Sequence, residues 1–192
     1  MNSATVQLLQ GNLQAVFLAL LVIAAALIDF RTHRIPNLLS VGGLAAALAL
    51  QFIGHGWEGV TNGLTGCATG FFIYLILYAV GAMGAGDVKL MAAVGGFLGW
   101  PETLLAVILS VGVGVVISLL LLCVRGGIID YLTRYGQMLK FLFLTGRISY
   151  IAPEPGSTAT LRFPYAFAIA IGALATLWWN GSFAPFMLAF HA

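Results

Sequence analysis

The sequence predicts an all-α, polytopic integral membrane protein with six transmembrane helices and one further helix lying on the cytoplasmic face. Three observations lead there. Hydrophobic residues make up 61% of the 192 residues. Charged residues make up only 7%, against about 25% in soluble domains. The apolar runs are long and continuous, unlike the alternating segments of roughly 10 residues that build a membrane barrel. Six acids and eight bases cannot cover the surface of a water-soluble globule of this size. A soluble enzyme, a disordered tail and a nucleic-acid-binding domain are thereby excluded.

A helix needs about 20 apolar residues to cross a bilayer. Runs of this kind place spans at about 13–29, 37–55, 62–82, 88–101, 103–124 and 163–181, within one membrane-embedded domain over 1–192. The fourth is short, and is expected to cross only where the bilayer thins or its neighbours shield it. Ala24-Ala25-Ala26 resembles a signal-peptide cleavage site. No Lys or Arg precedes the run and no soluble domain follows it, so the first span is expected to stay in place.

The charges then orient the chain. Arg31 and Arg34 fall between spans one and two, and Lys89 between three and four. Arg125, Arg134, Lys140, Arg147 and Arg162 fall between five and six. With six spans all eight bases share one side, and the opposite connections carry Glu58 and Glu102. The positive-inside rule makes the basic side cytoplasmic, which puts both termini across the membrane from it. Trp57, Trp100, Trp178 and Trp179 fall toward the outer span ends, as an aromatic belt requires. Within the loop 125–162, apolar residues at 128, 131, 132, 135, 138, 139 and 142 keep helical spacing among bases, the pattern of an interfacial helix. Cys67 and Cys123 lie in apolar stretches without a CxxC pair and read as small buried hydrophobes. No metal site and no cofactor is expected.

Two acids abut apolar spans on the basic side: Asp29 in Leu27-Ile28-Asp29-Phe30-Arg31, and Asp87 in Gly84-Ala85-Gly86-Asp87-Val88-Lys89. Carboxylates at the edge of hydrocarbon are expensive and mark function. The topology puts both at one depth, and packed helices stand about 8–10 Å apart, close enough for inward carboxyls to meet. Two carboxyls sharing a site cannot both ionise cheaply, so the pair holds one proton. The ionised member takes a proton from water, and the protonated one polarises a carbonyl and later protonates the leaving amine. That is metal-free peptide hydrolysis. Gly84 and Gly86 leave room beside the acid for an extended peptide, or form an ordinary interhelical turn.

These segments resemble a known family. Asp29-Phe30-Arg31-Thr32-His33-Arg34-Ile35-Pro36-Asn37 resembles the first aspartate motif of the prepilin peptidases. Gly84-Ala85-Gly86-Asp87-Val88-Lys89 resembles their Gly-x-Gly-Asp-x-Lys motif, and Arg162-Phe163-Pro164-Tyr165-Ala166-Phe167-Ala168-Ile169 the Pro-Tyr-x-x-Ala segment opening their last helix. The resemblance implies an inner-membrane aspartic endopeptidase that removes the cytoplasmic leader from type IV prepilins or pseudopilins, with Asp29 and Asp87 as the catalytic pair. Larger members carry an extra N-terminal region with paired cysteines, linked to N-methylation. Neither is seen here, so methyltransferase activity is not expected, and the short form resembles the peptidases of Flp/Tad pili.

Arg31 and Arg34 read either as positive-inside anchors or as partners of Asp29 and of an acidic residue in the substrate. Lys89 either acts on Asp87 or anchors its span. Pro36 and Asn37 open span two, His33 reads as an exposed loop residue, and Gly95-xxx-Gly99 as a close-packing face. The expected partners are the bilayer and a membrane-bound prepilin, with no nucleic acid. Two rivals stay open on the residues alone: a small proton-coupled transporter, and a non-catalytic scaffold. A relay would want ionisable groups through the midplane, and a scaffold leaves the acids unexplained.

Overall fold

The computed structural model describes residues 3–125 and 165–182, with 133, 136, 137, 140, 141 and 144 between them. The expected interfacial helix over 128–144, the bases Arg134, Arg147 and Arg162, Pro164 and both termini lie outside the described residues or rest on too few of them. Among the described residues five helices follow in order: α1 (Ser3–Thr32), α2 (Asn37–Ala79), α3 (Ala85–Leu98), α4 (Glu102–Arg125) and α5 (Tyr165–Trp179). The all-α membrane class is as expected, but six spans are not reached by length and composition. Among the described residues three helices are long and apolar enough to cross a membrane: Gly11–Thr32, Asn37–Ala79 and Glu102–Leu120. The 14 residues of α3 rise only about 21 Å, short of a hydrocarbon core of about 30 Å. Tyr165–Trp179 is a shorter apolar helix of 15 residues.

The 43 residues of α2 would run about 65 Å as one straight rod. They do not, because Gly56 takes φ 59 and ψ −140, a conformation closed to residues bearing a Cβ. The chain doubles back there. Gly59 packs on Gln51 and His55, and Gly63 on Leu48 and Gln51, so 37–55 and 57–79 form two antiparallel arms. A loop of several residues was expected at this place, but a single left-handed glycine makes the reversal.

α3 is the centre of the molecule. From Asp87 to Phe97 every residue except Lys89 is buried. The second arm of α2 runs antiparallel to it and presents Gly63, Gly66 and Gly70 to the backbones of Gly96, Gly95 and Met91. This four- and three-residue spacing lines one helix face with hydrogen atoms, so two backbones meet directly, as in small-residue interfaces between membrane helices. The first arm runs parallel to α3, with Leu44 and Ala47 against Gly96. The buried Gln51 side chain donates to the carbonyls of Phe97 at 3.2 Å and Gly96 at 3.5 Å, satisfying end groups that helix α3 leaves open. Gln51→Leu is expected to leave them unpaired and lower stability by about 1–3 kcal/mol, read as an earlier unfolding midpoint in detergent.

α4 and α5 pack antiparallel on the other flank. Tyr165 lies on Gly114, and Gly172 on Ser110. α1 adds Leu18, Leu21, Val22 and Ala25 to the shared core. The side chains left exposed are large and apolar, among them Leu20, Leu27, Ile53, Phe72, Ile76, Leu119 and Leu120. An apolar outer surface around a core rich in Ala and Gly fits lipid rather than water as the solvent.

Candidate functional site

Three helix ends meet at one end of this bundle. α1 finishes with Ile28-Asp29-Phe30-Arg31-Thr32. His33 follows at φ 49, its N–H donating to the Asp29 carbonyl at 2.8 Å. This left-handed residue ends the helix and turns the chain toward Ile35 and Pro36. Pro36 caps α2, and its carbonyl accepts from Leu39 N–H at 3.1 Å. α3 begins beside it: Gly84 is the N-cap, and its N–H donates to Asp87 Oδ2 at 2.9 Å. Asp87 therefore closes its own helix start from the third position, a place where a carboxylate also meets the positive end of the helix dipole.

Asp29 and Asp87 are both buried, at 7% and 8% exposure. They are 58 residues apart in sequence, yet Asp29 stands where its charge acts on Asp87. The Asp29 carboxylate also accepts a hydrogen bond from the backbone N–H of Ala166, in the first turn of α5. Two helix N-termini, those of α3 and α5, thus point donors at two acids. An isolated buried carboxylate is costly, and these backbone donors are what make the burial tolerable.

The other residues singled out in the sequence fall around this pair. Lys89 Nζ donates to Asn37 Oδ1 at 2.8 Å, tying the Gly-x-Gly-Asp-x-Lys segment to the Ile-Pro-Asn segment rather than pairing with Asp87. Arg31 and Arg34 are exposed. The basic side chain acting on Asp29 is His33, which is exposed as well. Gly86 faces Ile35: a Cβ there would come within 3.3 Å of Ile35 Cβ, so its bareness lets the loop after α1 lie on α3. Gly84 keeps its Cα side against Asp87 Oδ2. Two contributors were missed. The Ala166 amide leaves no trace in side-chain chemistry. Tyr74 stood inside an apolar run, fully buried and hydrogen-bonded to Ser110 Oγ at 2.7 Å. A buried phenol in such a run was the one available signal. No group of three or more metal-binding side chains occurs among the described residues.

The far end of the bundle has a different character. Trp57 adjoins the Gly56 break, and the Trp100 amide bonds Asn62 Oδ1 at 3.0 Å. Trp179 lies with Pro101 and Glu102. All four tryptophans are exposed there, with an exposed Glu58 and a half-buried Glu102, while Arg31, Arg34 and Lys89 sit at the end with the aspartates.

Fold and site together define a helical membrane protein that buries two carboxyls, from separate helices, at one mouth of its bundle. The type IV leader peptidase family model matches residues 16–119, and the chain belongs to that family. It is 34% identical over 120 residues to the prepilin leader peptidase/N-methyltransferase of Myxococcus xanthus, across 58% of this chain and 35% of that protein. It is 29% identical over 122 residues to the protein of the same name from Aeromonas salmonicida, across 60% of this chain and 42% of that one. The similarity thus spans well under half of these relatives. No solved structure matches.

Proposed function

We propose that this protein is a membrane aspartic endopeptidase that removes the leader from type IV prepilins or pseudopilins, with Asp29 and Asp87 as its catalytic pair. The observation behind this is two buried acids from separate helices at one end of the bundle, each facing a backbone N–H, in a chain of the leader peptidase family. Between them they carry one proton. The ionised carboxylate takes a proton from a water whose oxygen attacks the scissile carbonyl, and the carboxyl donates to the carbonyl oxygen. Collapse of the tetrahedral intermediate breaks the C–N bond, and a carboxyl returns the proton to the leaving amine. Gly84, Gly86 and Ile35 shape the approach. Arg31 and Arg34 are placed to receive an acidic side chain from the substrate.

Six helical segments arranged as α1, the two arms of α2, α3, α4 and α5 suit a six-pass topology in the inner membrane. The bases near Asp29 and Asp87 face the cytoplasm in this arrangement, and the tryptophan end faces outward. The cut then falls where a prepilin passes from its basic leader into its apolar helix.

The test is to incubate purified protein with a prepilin, a Flp-type one first, and sequence the new N-terminus. One cut at the boundary of leader and apolar segment is expected. Intact prepilin, or cuts elsewhere, would overturn the reading. The hydrogen bond joining the two motifs gives a milder check. Asn37→Ala removes an exposed contact worth about 1 kcal/mol, so the unfolding midpoint should barely move while the cleavage rate falls several-fold. An unchanged rate would show that the Lys89 tie does not order the site.

A further inference from the structure

Asp87 and Asp29 are carried by different parts of the bundle. Asp87 belongs to α3, which is clasped by the two arms of α2. Asp29 is held to α5 through the Ala166 amide, and α5 lies on α4. Beside the direct seat of Ile35 on Gly86, their separation depends on what joins α2 to α4 and α5 near the acids. Tyr74 and Ser110 occupy that junction. Both are fully buried, and Tyr74 Oη lies 2.7 Å from Ser110 Oγ. Ser110 Oγ donates to the Val107 carbonyl at 3.0 Å, so its lone pair accepts the phenol proton. A Cβ at Gly172 would come within 2.6 Å of the Ser110 nitrogen. The backbone of α5 thus lies against the very residue that Tyr74 grips. Gly114, one turn on, receives the ring of Tyr165, the neighbour of Ala166. Tyr74 itself is one turn beyond Gly70, which packs on Met91, and Asp87 is one turn before Met91. The antiparallel register brings Tyr74 level with Asp87, whose charge reaches the phenol.

We propose that the Tyr74–Ser110 hydrogen bond is a positioning clamp that sets the spacing of Asp29 and Asp87 by locking α4 and α5 onto the α2–α3 unit. Tyr74 and Ser110 are positioning residues and touch no substrate. This rests on the peptidase reading of the aspartate pair. Misplacement of catalytic groups by about 1 Å can lower a rate about a hundredfold, and the chemical step should feel the clamp while substrate capture should not.

The test compares wild type, Tyr74→Phe, Ser110→Ala and the double variant in cleavage of a prepilin, each first shown to be monodisperse and folded in detergent. Wild-type cleavage with loss in Asp29→Asn establishes the underlying activity separately; without it the peptidase reading fails. Given that activity, each single variant is expected to lose about ten- to a hundredfold in kcat, with KM within about twofold. The double variant should be no worse than the weaker single one, because both remove the same bond. A folded Tyr74→Phe with wild-type kcat, losses that multiply in the double variant, or a change confined to KM would overturn the clamp. So would failure of both single variants to fold, which would assign the pair to stability alone.

Discussion

Asp87→Asn and Asp29→Asn should each abolish leader removal while leaving the protein folded in the membrane. Asparagine keeps the size of the side chain and one acceptor oxygen. In Asp87→Asn that oxygen can still take the Gly84 N–H, now 2.9 Å from Asp87 Oδ2, so the start of α3 is retained. In Asp29→Asn it can still take the Ala166 N–H. What is lost is the ability to accept and return a proton. Groups in this role contribute about 10²–10⁴-fold, and neither acid has a substitute among the described carboxylates, since Glu58 and Glu102 stand at the other end of the bundle. The losses should not multiply in the double variant, because the two acids act as one unit. Product analysis of a prepilin digest checks this. Normal leader removal by either variant would end the proposed mechanism.

The second large effect concerns the backbone contact that seats α3. Gly66→Ala should destabilise the protein by about 1–3 kcal/mol or more. A Cβ there would strike the Gly95 carbonyl oxygen and come within 2.7 Å of Gly99 Cα. Those atoms are backbone in a packed helix end and cannot swing aside. α3 must shift, and Asp87 with it, so activity should fall further than the folded fraction does. Gly42→Ala is the contrast. Nothing lies within 4 Å of a Cβ at Gly42, so the same change in helix α2 should stabilise by about 0.5–1 kcal/mol. Unfolding midpoints of the two variants, measured together in detergent, should move in opposite directions.

The acids were legible in the sequence because charge next to hydrocarbon is conspicuous, and the motifs around Asp29 and Asp87 carry a recognisable pattern. That both stand at one end of the bundle followed from the charge topology. The partners of individual residues did not. Lys89 was weighed against Asp87, two residues away, but a side chain leaving a helix start reaches across to a neighbouring segment, and Asn37 is there. Gly99 was grouped with Gly95 as a packing face. Both glycines do pack against Gly66, but Gly99 also sits at φ 74 and ends α3. The stripe of Gly59, Gly63, Gly66 and Gly70 has helical spacing in the sequence, yet spacing alone does not say which helix will lie on it. The span count suffered from the same limit. Charge-free length marks where a chain is apolar, and it marked the fourth segment as short; it does not mark that one glycine makes the reversal inside α2.

All of this depends on positions 29 and 87 facing each other in one site. A trivalent arsenical, which is retained only by two adjoining thiols, tests that contact directly. Asp29→Cys and Asp87→Cys are combined in a chain with Cys67→Ser and Cys123→Ser, and the folded protein is exposed to phenylarsine oxide and weighed intact. One arsenical per chain is expected in the double-cysteine protein and none in either single-cysteine control. A folded double-cysteine protein that retains no arsenical, although both thiols react with maleimide once it is unfolded, would contradict the shared site.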